Sequence, residues 1–177
     1  MSRLLIVLLA ALACSSGASA HGPSRQKVTE SIVVDAPAAK TWAVVAEFCS
    51  IADWHPGIAK CIGSGGNEAG ATRVLSVGEE GVPEIHEELL SYDAAQMTYK
   101  YKITQTVLDI LPVTTYSSFL SVKDNGDDTS TVEWRAGFYR GYPNNNPPPE
   151  LNDEAAVNAV RGSYVAGLAA IKKLAEQ

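Results

Sequence analysis

Residues 157–174 read "VNAVRGSYVAGLAAIKKL", and how they fold decides the rest of the chain. Val157, Val160, Tyr164, Leu168, Ile171 and Leu174 recur at spacings of three and four, which lays one apolar stripe along a helix. Asn152 is a good cap for it. Glu150, Asp153 and Glu154 sit near the positive end of its dipole, and Lys172 and Lys173 near the other. Gly162 and Gly167 interrupt a run that would prefer alanine. Their expected use is room for close contact with something beside the helix. One striped helix must bury its stripe, so the chain before it has to supply a sheet.

That sheet is legible upstream. The loop Gly141–Pro149 ("GYPNNNPPP") ends it, because proline cannot donate to a ladder. Before it, Ser130–Tyr139 places Val132, Trp134, Ala136 and Phe138 on one face, with Thr131, Glu133 and Arg135 on the other. Thr114–Val122 repeats the pattern across "DNGDD", where Asn125-Gly126 is a hairpin signal. Met97–Gln105 alternates Met97, Tyr99, Tyr101 and Ile103 against Thr98, Lys100, Lys102 and Thr104, an antiparallel strand with one wet face. Ala71–Val77 and Glu84–Tyr92 flank the turn Gly78–Gly81, and Gly63–Gly70 reads as a loop. Val28–Val34 is β-branched and starts the sheet. A helix follows it, capped at Asp35 or Ala36 with Pro37 in its first turn. Trp42, Val45 and Phe48 form its buried stripe. Ser50 and Asp53 fit a capping box, which predicts a very short second helix delivering Trp54 and His55. Pro56 ends it. No internal repeat and no second domain is visible.

The first twenty residues stand apart. Arg3, the apolar run Leu4–Leu12 and Ala18-Ser19-Ala20 have the form of a secretory signal peptide cut between Ala20 and His21. Cys14 raises a lipoprotein alternative, which Ala11 and the short preceding segment disfavour. Residues 21–27 read as a flexible lead-in and 28–177 as a single domain. The whole chain carries 14 basic and 20 acidic side chains, a net charge of −6. Cleavage removes only Arg3. An acidic chain without Lys/Arg clusters is a poor match for nucleic acid or an anionic membrane. No later segment is long and apolar enough to span a bilayer. In an exported chain Cys49 and Cys61 have one intramolecular pairing open to them. The other reading is two buried free thiols.

At these spacings the chain resembles the SRPBCC superfamily, the polyketide cyclase-like, START-like and plant pathogenesis-related ligand-binding proteins of the helix-grip fold. The resemblance is carried by "APAAKTWAVVAEF", "DWHPGIAKC", Gly70 with Arg73, "EELLSYD" followed by "MTYKYKI", "LPVTTYSSFLSV", "VEWRAGF" and "YVAGLAAIKKL". It implies an α+β fold, a curled antiparallel sheet of about seven strands wrapped around the C-terminal helix, with two short helices after the first strand. It also implies an elongated cavity, with Trp54, Leu111, Pro112 and Val113 near its mouth. With an export signal, the chain is similar to MxaD-type periplasmic proteins of bacterial methanol oxidation. That implies a periplasmic accessory beside methanol dehydrogenase and its cytochrome c.

Alternation nominates the cavity lining independently: Tyr99, Tyr101, Tyr116, Trp134, Phe138 and Tyr164. Aromatics with polar tips suit a flat or oily small molecule; the plainer reading is that they fill the core. Arg73 and Glu87 lie on largely apolar faces and need partners. They are expected to meet, or Arg73 to bind an acidic ligand group. His21, His55 and His86 have no metal-site spacing, so no metal and no cofactor is expected. Two functions stay open. One is a non-catalytic binding or accessory protein with a hydrophobic cavity. The other is a small cyclase or dehydratase using His55 or Glu87 as general acid/base, or a lipid or aromatic carrier.

Overall fold

The computed structural model describes residues 22–78 and 83–177. The signal-peptide segment, its Ala20–His21 junction, residues 79–81 of the predicted turn and residue 82 lie outside the described residues. The elements are β1 (Gln26–Val34), α1 (Ala38–Val45), α2 (Ile51–Trp54), β2 (Ile58–Ser64), β3 (Thr72–Val77), β4 (Glu84–Asp93), β5 (Thr98–Gln105), β6 (Val113–Asp124), β7 (Ser130–Arg140) and α3 (Asp153–Ala175). The strands form one antiparallel sheet in the order β1-β7-β6-β5-β4-β3-β2. The fold is the expected α+β helix-grip, with α3 held by the curl of the sheet.

Period-two patterning explains the sheet. In β7, Val132, Trp134, Ala136 and Phe138 point to the core, and Leu89, Tyr99, Tyr101 and Leu120 do so from neighbouring strands. Asn152 caps α3 as expected: its side-chain oxygen accepts from the Ala155 N–H at 2.8 Å. The buried face of α3 differs at its end, where Leu174 is 38% exposed and Ala175 takes the core position. The last turn lies beside the end of β1, where the Lys172 ammonium donates to the Val33 carbonyl at 2.9 Å.

Several boundaries move for local reasons. β1 begins at Gln26, since Gln26 and Lys27 already pair with Phe138 and Gly137. Pro37 is the N-cap of α1, outside its first turn, with extended backbone. The capping box at Ser50 does not form. Its hydroxyl instead donates to the Glu47 carbonyl at 2.8 Å, closing the turn before α2. Gly63 and Ser64 belong to β2, paired with Arg73 and Thr72. Met97 is a left-handed turn residue (φ 52°), so β5 starts at Thr98.

Candidate functional site

The segment carrying Trp54 and His55 is fixed from both ends. Cys49 and Cys61 are joined by a disulfide, with Cα atoms 5.7 Å apart. A closure of this size stabilises a fold by about 3 kcal/mol, mainly by restricting the unfolded chain. Between the cysteines, α2 turns Trp54 and His55 inward against α3. Gly167 makes this possible. A Cβ there would lie 2.7 Å from His55 Cδ2, 2.7 Å from a Trp134 ring carbon and 3.2 Å from Trp54. Gly167 is thus the seat for three rings. At Gly162 a Cβ would meet nothing within 4 Å, so the expected contact is absent there.

His55 is nearly buried and both ring nitrogens are engaged. The Gly57 N–H donates to Nδ1 at 3.1 Å, so Nδ1 is the unprotonated nitrogen. Nε2–H then donates to the Ser163 carbonyl at 3.1 Å, with Ser163 Oγ equally near. Burial holds the imidazole below its usual pKa, opposed by the Ser163 carbonyl and assisted by the Arg73 charge. The structure therefore contains a neutral histidine in a fixed tautomer.

Behind His55, two polar clusters occupy the core. Arg73 Nε donates to Glu87 Oε2 at 2.6 Å, and Nη1 donates to the Phe48 carbonyl. The guanidinium lies 4.0 Å from the Phe48 ring centroid and 5.0 Å from that of Tyr101. Burial lowers the arginine's pKa, but Glu87 and the neighbouring tyrosines more than offset this and keep it charged. Burial pushes Glu87 up, and Arg73 offsets only part of that. The pair is expected at register, because Arg73 and Glu87 are direct partners across β3 and β4.

The second cluster is neutral. The Tyr116 and Tyr164 hydroxyls share a 2.5 Å hydrogen bond, and Ser118 Oγ lies 2.7 Å from the Tyr164 hydroxyl. Trp134 Nε1–H is shared between Ser118 Oγ and the Tyr101 hydroxyl, at 3.0 and 3.2 Å. Trp134 stacks on Tyr164 with centroids 4.2 Å apart. Burial keeps all three tyrosines protonated far into the alkaline range.

Part of each cluster faces a cavity of about 60 Å³ between sheet and α3. Its lining includes Glu87, Tyr101, Tyr116, Trp134 and Tyr164. Outside it lies an apolar vestibule of about 270 Å³ that reaches Ile110, Val77 and the small side chains Ala159 and Ala166. His55, Ile58, Ile85, Leu111 and Ser163 line both spaces and stand between them. Ligand pockets usually measure about 300–1,000 Å³. The inner space alone falls short; the two joined reach the low end.

The remaining nominated residues take other places. Tyr99 and Phe138 are core: Tyr99 packs on Trp42 and Phe48, and Phe138 on Tyr116. Trp54 packs edge-on to Trp134, its indole N–H buried without a partner. Arg73 lies behind Glu87. Of the rim triplet only Leu111 lines the cavity. Pro112 and Val113 are buried beside Gly141 and at the head of β6. His86 faces outward, 3.5 Å from Glu84. Ile58, Ile85 and Ser163 were not nominated. Ile85 could have been, since it alternates with Glu87 and Leu89. Ala159, Ser163 and Ala166 form a small-residue stripe beside the apolar one, and that stripe makes the vestibule. Among the described residues no His, Cys, Asp and Glu group is placed to hold a metal, and no helix is long and apolar enough to cross a membrane.

Comparison with solved structures matches this architecture. XoxI from Bacillus cereus is 29% identical, with a TM-score of 0.69, over 83% of this chain and 93% of that one. The Zhui aromatase/cyclase of a Streptomyces species is 19% identical, with a TM-score of 0.68, over 86% and 94%. A truncated norcoclaurine synthase from Thalictrum flavum is 19% identical, with a TM-score of 0.63, over 86% and 94%. The last two likenesses are of fold alone. Among curated proteins none matches the chain by sequence. The family model for polyketide cyclase/dehydrase and lipid transport matches residues 25–176. With the sheet, the gripped helix and nearly the whole chain accounted for, this protein belongs to the polyketide cyclase/dehydrase and lipid transport family.

Proposed function

We propose that the chain is a small-molecule-binding protein whose ligand lies between the sheet and α3 and enters past His55 and Leu111. The observation that carries this is the partition of the space. An apolar vestibule leads to a smaller chamber in which the Glu87 carboxyl and the Tyr101, Tyr116 and Tyr164 side chains stand among aliphatic ones, with a few side chains between the two spaces. A ligand with a flat apolar body and a polar tip matches that sequence of surfaces. The Tyr101 hydroxyl accepts from Trp134 and lines the inner chamber, where it can meet a ligand oxygen.

For His55, binding is favoured over acid/base catalysis, because each ring nitrogen has a protein partner and a general base needs a free atom within reach of the proton it takes. Glu87 is tied to Arg73 through Oε2 and also lines the inner chamber. The finer reading, an exported accessory of methanol oxidation acting beside methanol dehydrogenase or cytochrome c, rests on the signal-like N-terminus and the resemblance to MxaD-type proteins. N-terminal sequencing of the secreted protein should begin at His21. Deletion in a methanol-grown host should slow electron transfer to cytochrome c; an unchanged rate sinks that role.

The binding reading is tested by native mass spectrometry on protein isolated without denaturation, followed by titration with 2-naphthol. A retained small molecule or one-to-one naphthol binding is expected. Leu111→Trp, which fills the passage, should abolish it. If neither ligand is held, or Leu111→Trp binds equally, the proposal fails.

A further inference from the structure

The outward face of the sheet has a different chemistry from the inner one. Strand register sets two rows of side chains across β1, β7, β6 and β5. Lys27, Gly137, Ser117 and Lys102 make one row; Thr29, Arg135, Phe119 and Lys100 make the other. A depression of about 370 Å³ lies among them, bordered by Arg25, Lys27, Lys100 and Arg135. All four cations are exposed. Lys102 is paired with Glu88 at 3.1 Å, and Arg135 reaches Glu133 only at 3.7 Å. Arg25, Lys27 and Lys100 have no ion-pair partner among the described residues. In a chain of net charge −6 this patch reverses the overall sign.

The depression is built into the backbone. Gly137 leaves the floor open, and Arg25 lies over it: a Cβ at 137 would be 2.6 Å from the Arg25 guanidinium. A glycine within a strand often marks a close approach of this kind. Beside it, β6 carries an irregularity between Thr114 and Ser117, with Thr115 in the left-handed region (φ 49°). Such bulges bend a strand and increase its twist. Phe119 provides one partly exposed ring, stacked under Arg135 at 4.5 Å.

We propose that this groove docks an extended acidic segment of a partner protein. Charge complementarity selects the partner: three cations without an ion-pair partner among the described residues border the groove. Dimensions select the form. From β1 to β5 the face spans roughly 14 Å, three strand spacings, which about four extended residues cover. Carboxylates on alternate residues of such a segment would reach the cations on one side. An anionic membrane fits less well, since the net charge of the whole chain repels it and no exposed apolar side chain borders the groove except Phe119.

The test is fluorescence anisotropy of the purified protein with a labelled, glutamate-rich peptide of about eight residues, and with its glutamine counterpart. The glutamate peptide should bind, and binding should weaken as ionic strength rises through the physiological range. Lys27→Glu combined with Lys100→Glu should weaken it at least about tenfold while the melting temperature stays unchanged. Lys173→Glu, on the far end of α3, should leave it intact. Equal binding of the glutamine peptide, equal binding by the double variant, or an equal loss in Lys173→Glu would overturn the proposal. So would binding of phosphatidylglycerol vesicles with no binding of the peptide.

Discussion

The two polar clusters in the core are made of opposite materials. Arg73 and Glu87 are a charged pair, each with one main partner and almost no access to water. Tyr101, Tyr116, Ser118, Trp134 and Tyr164 form a neutral web in which every bond has a neighbour to share it. Taking two charges out of water costs several kcal/mol each, and removing one partner leaves the other uncompensated. A hydroxyl web has a smaller penalty and more ways to rearrange. The charged pair therefore works as an anchor: it ties β3 to β4 and, through the Phe48 carbonyl, to the segment before α2. The neutral web can adjust to a guest.

Variants can break this contrast, beginning with the strongest. Glu87→Gln should cost about 3–5 kcal/mol in chemical denaturation, because Arg73 stays buried without a counter-charge. The double variant Arg73→Met with Glu87→Leu should be more stable than Glu87→Gln alone. If it is less stable, the pair does more than cancel its own burial. Gly167→Ala comes next, at about 1–3 kcal/mol, since three rings must shift. Gly162→Ala, five residues earlier on the same helix, should raise the melting temperature, as alanine is favoured over glycine by roughly 1 kcal/mol where nothing is in the way. Tyr116→Phe is the mild case, at about 1 kcal/mol, because Tyr164 keeps its bond to Ser118. A loss as large as that of Glu87→Gln would erase the distinction between the clusters.

Titration sharpens the same comparison from the solvent side. His55 has a folded pKa below its unfolded value, so the unfolded chain binds more protons as pH falls past about 6.5. Its contribution is intact above that pH and is lost on acidification. His55→Gln should flatten the decline in melting temperature below pH 6.5; an unchanged slope would remove His55 from the account. The tyrosines act in the other direction. Their folded values lie above 10, with Tyr99 near 12, so the unfolded chain loses protons first and stability falls as pH rises past 10.

Much of this architecture could be read from residue pattern. Alternation in β5 and β7 named the inward aromatics, and the spacing in 157–174 named the helix they enclose. The Arg73–Glu87 contact was legible because two charges on apolar faces have few other solutions. Other features depended on packing that no local pattern encodes. Which aromatics meet the cavity turns on helix position: Tyr101 and Tyr116 reach it, while Tyr99 and Phe138, on the same faces, are covered. Gly162 and Gly167 look alike in sequence and differ only in what lies opposite them. Ser50 fits a cap by spacing, but its hydroxyl finds the Glu47 carbonyl closer.

The central claim is that a small molecule occupies the space between the sheet and α3. Of the three tryptophans, only Trp134 lines the inner cavity; Trp42 and Trp54 do not. The direct measurement is the indole N–H region of a proton–nitrogen NMR spectrum during titration with 2-naphthol. The Trp134 signal should move most and saturate at one equivalent, with smaller shifts at Ser163 and Tyr101. If the Trp134 signal stays still while naphthol binds, or if the shifts fall on Lys27, Ser117 and Gly137 of the outer face, the ligand does not lie where this structure makes room for it.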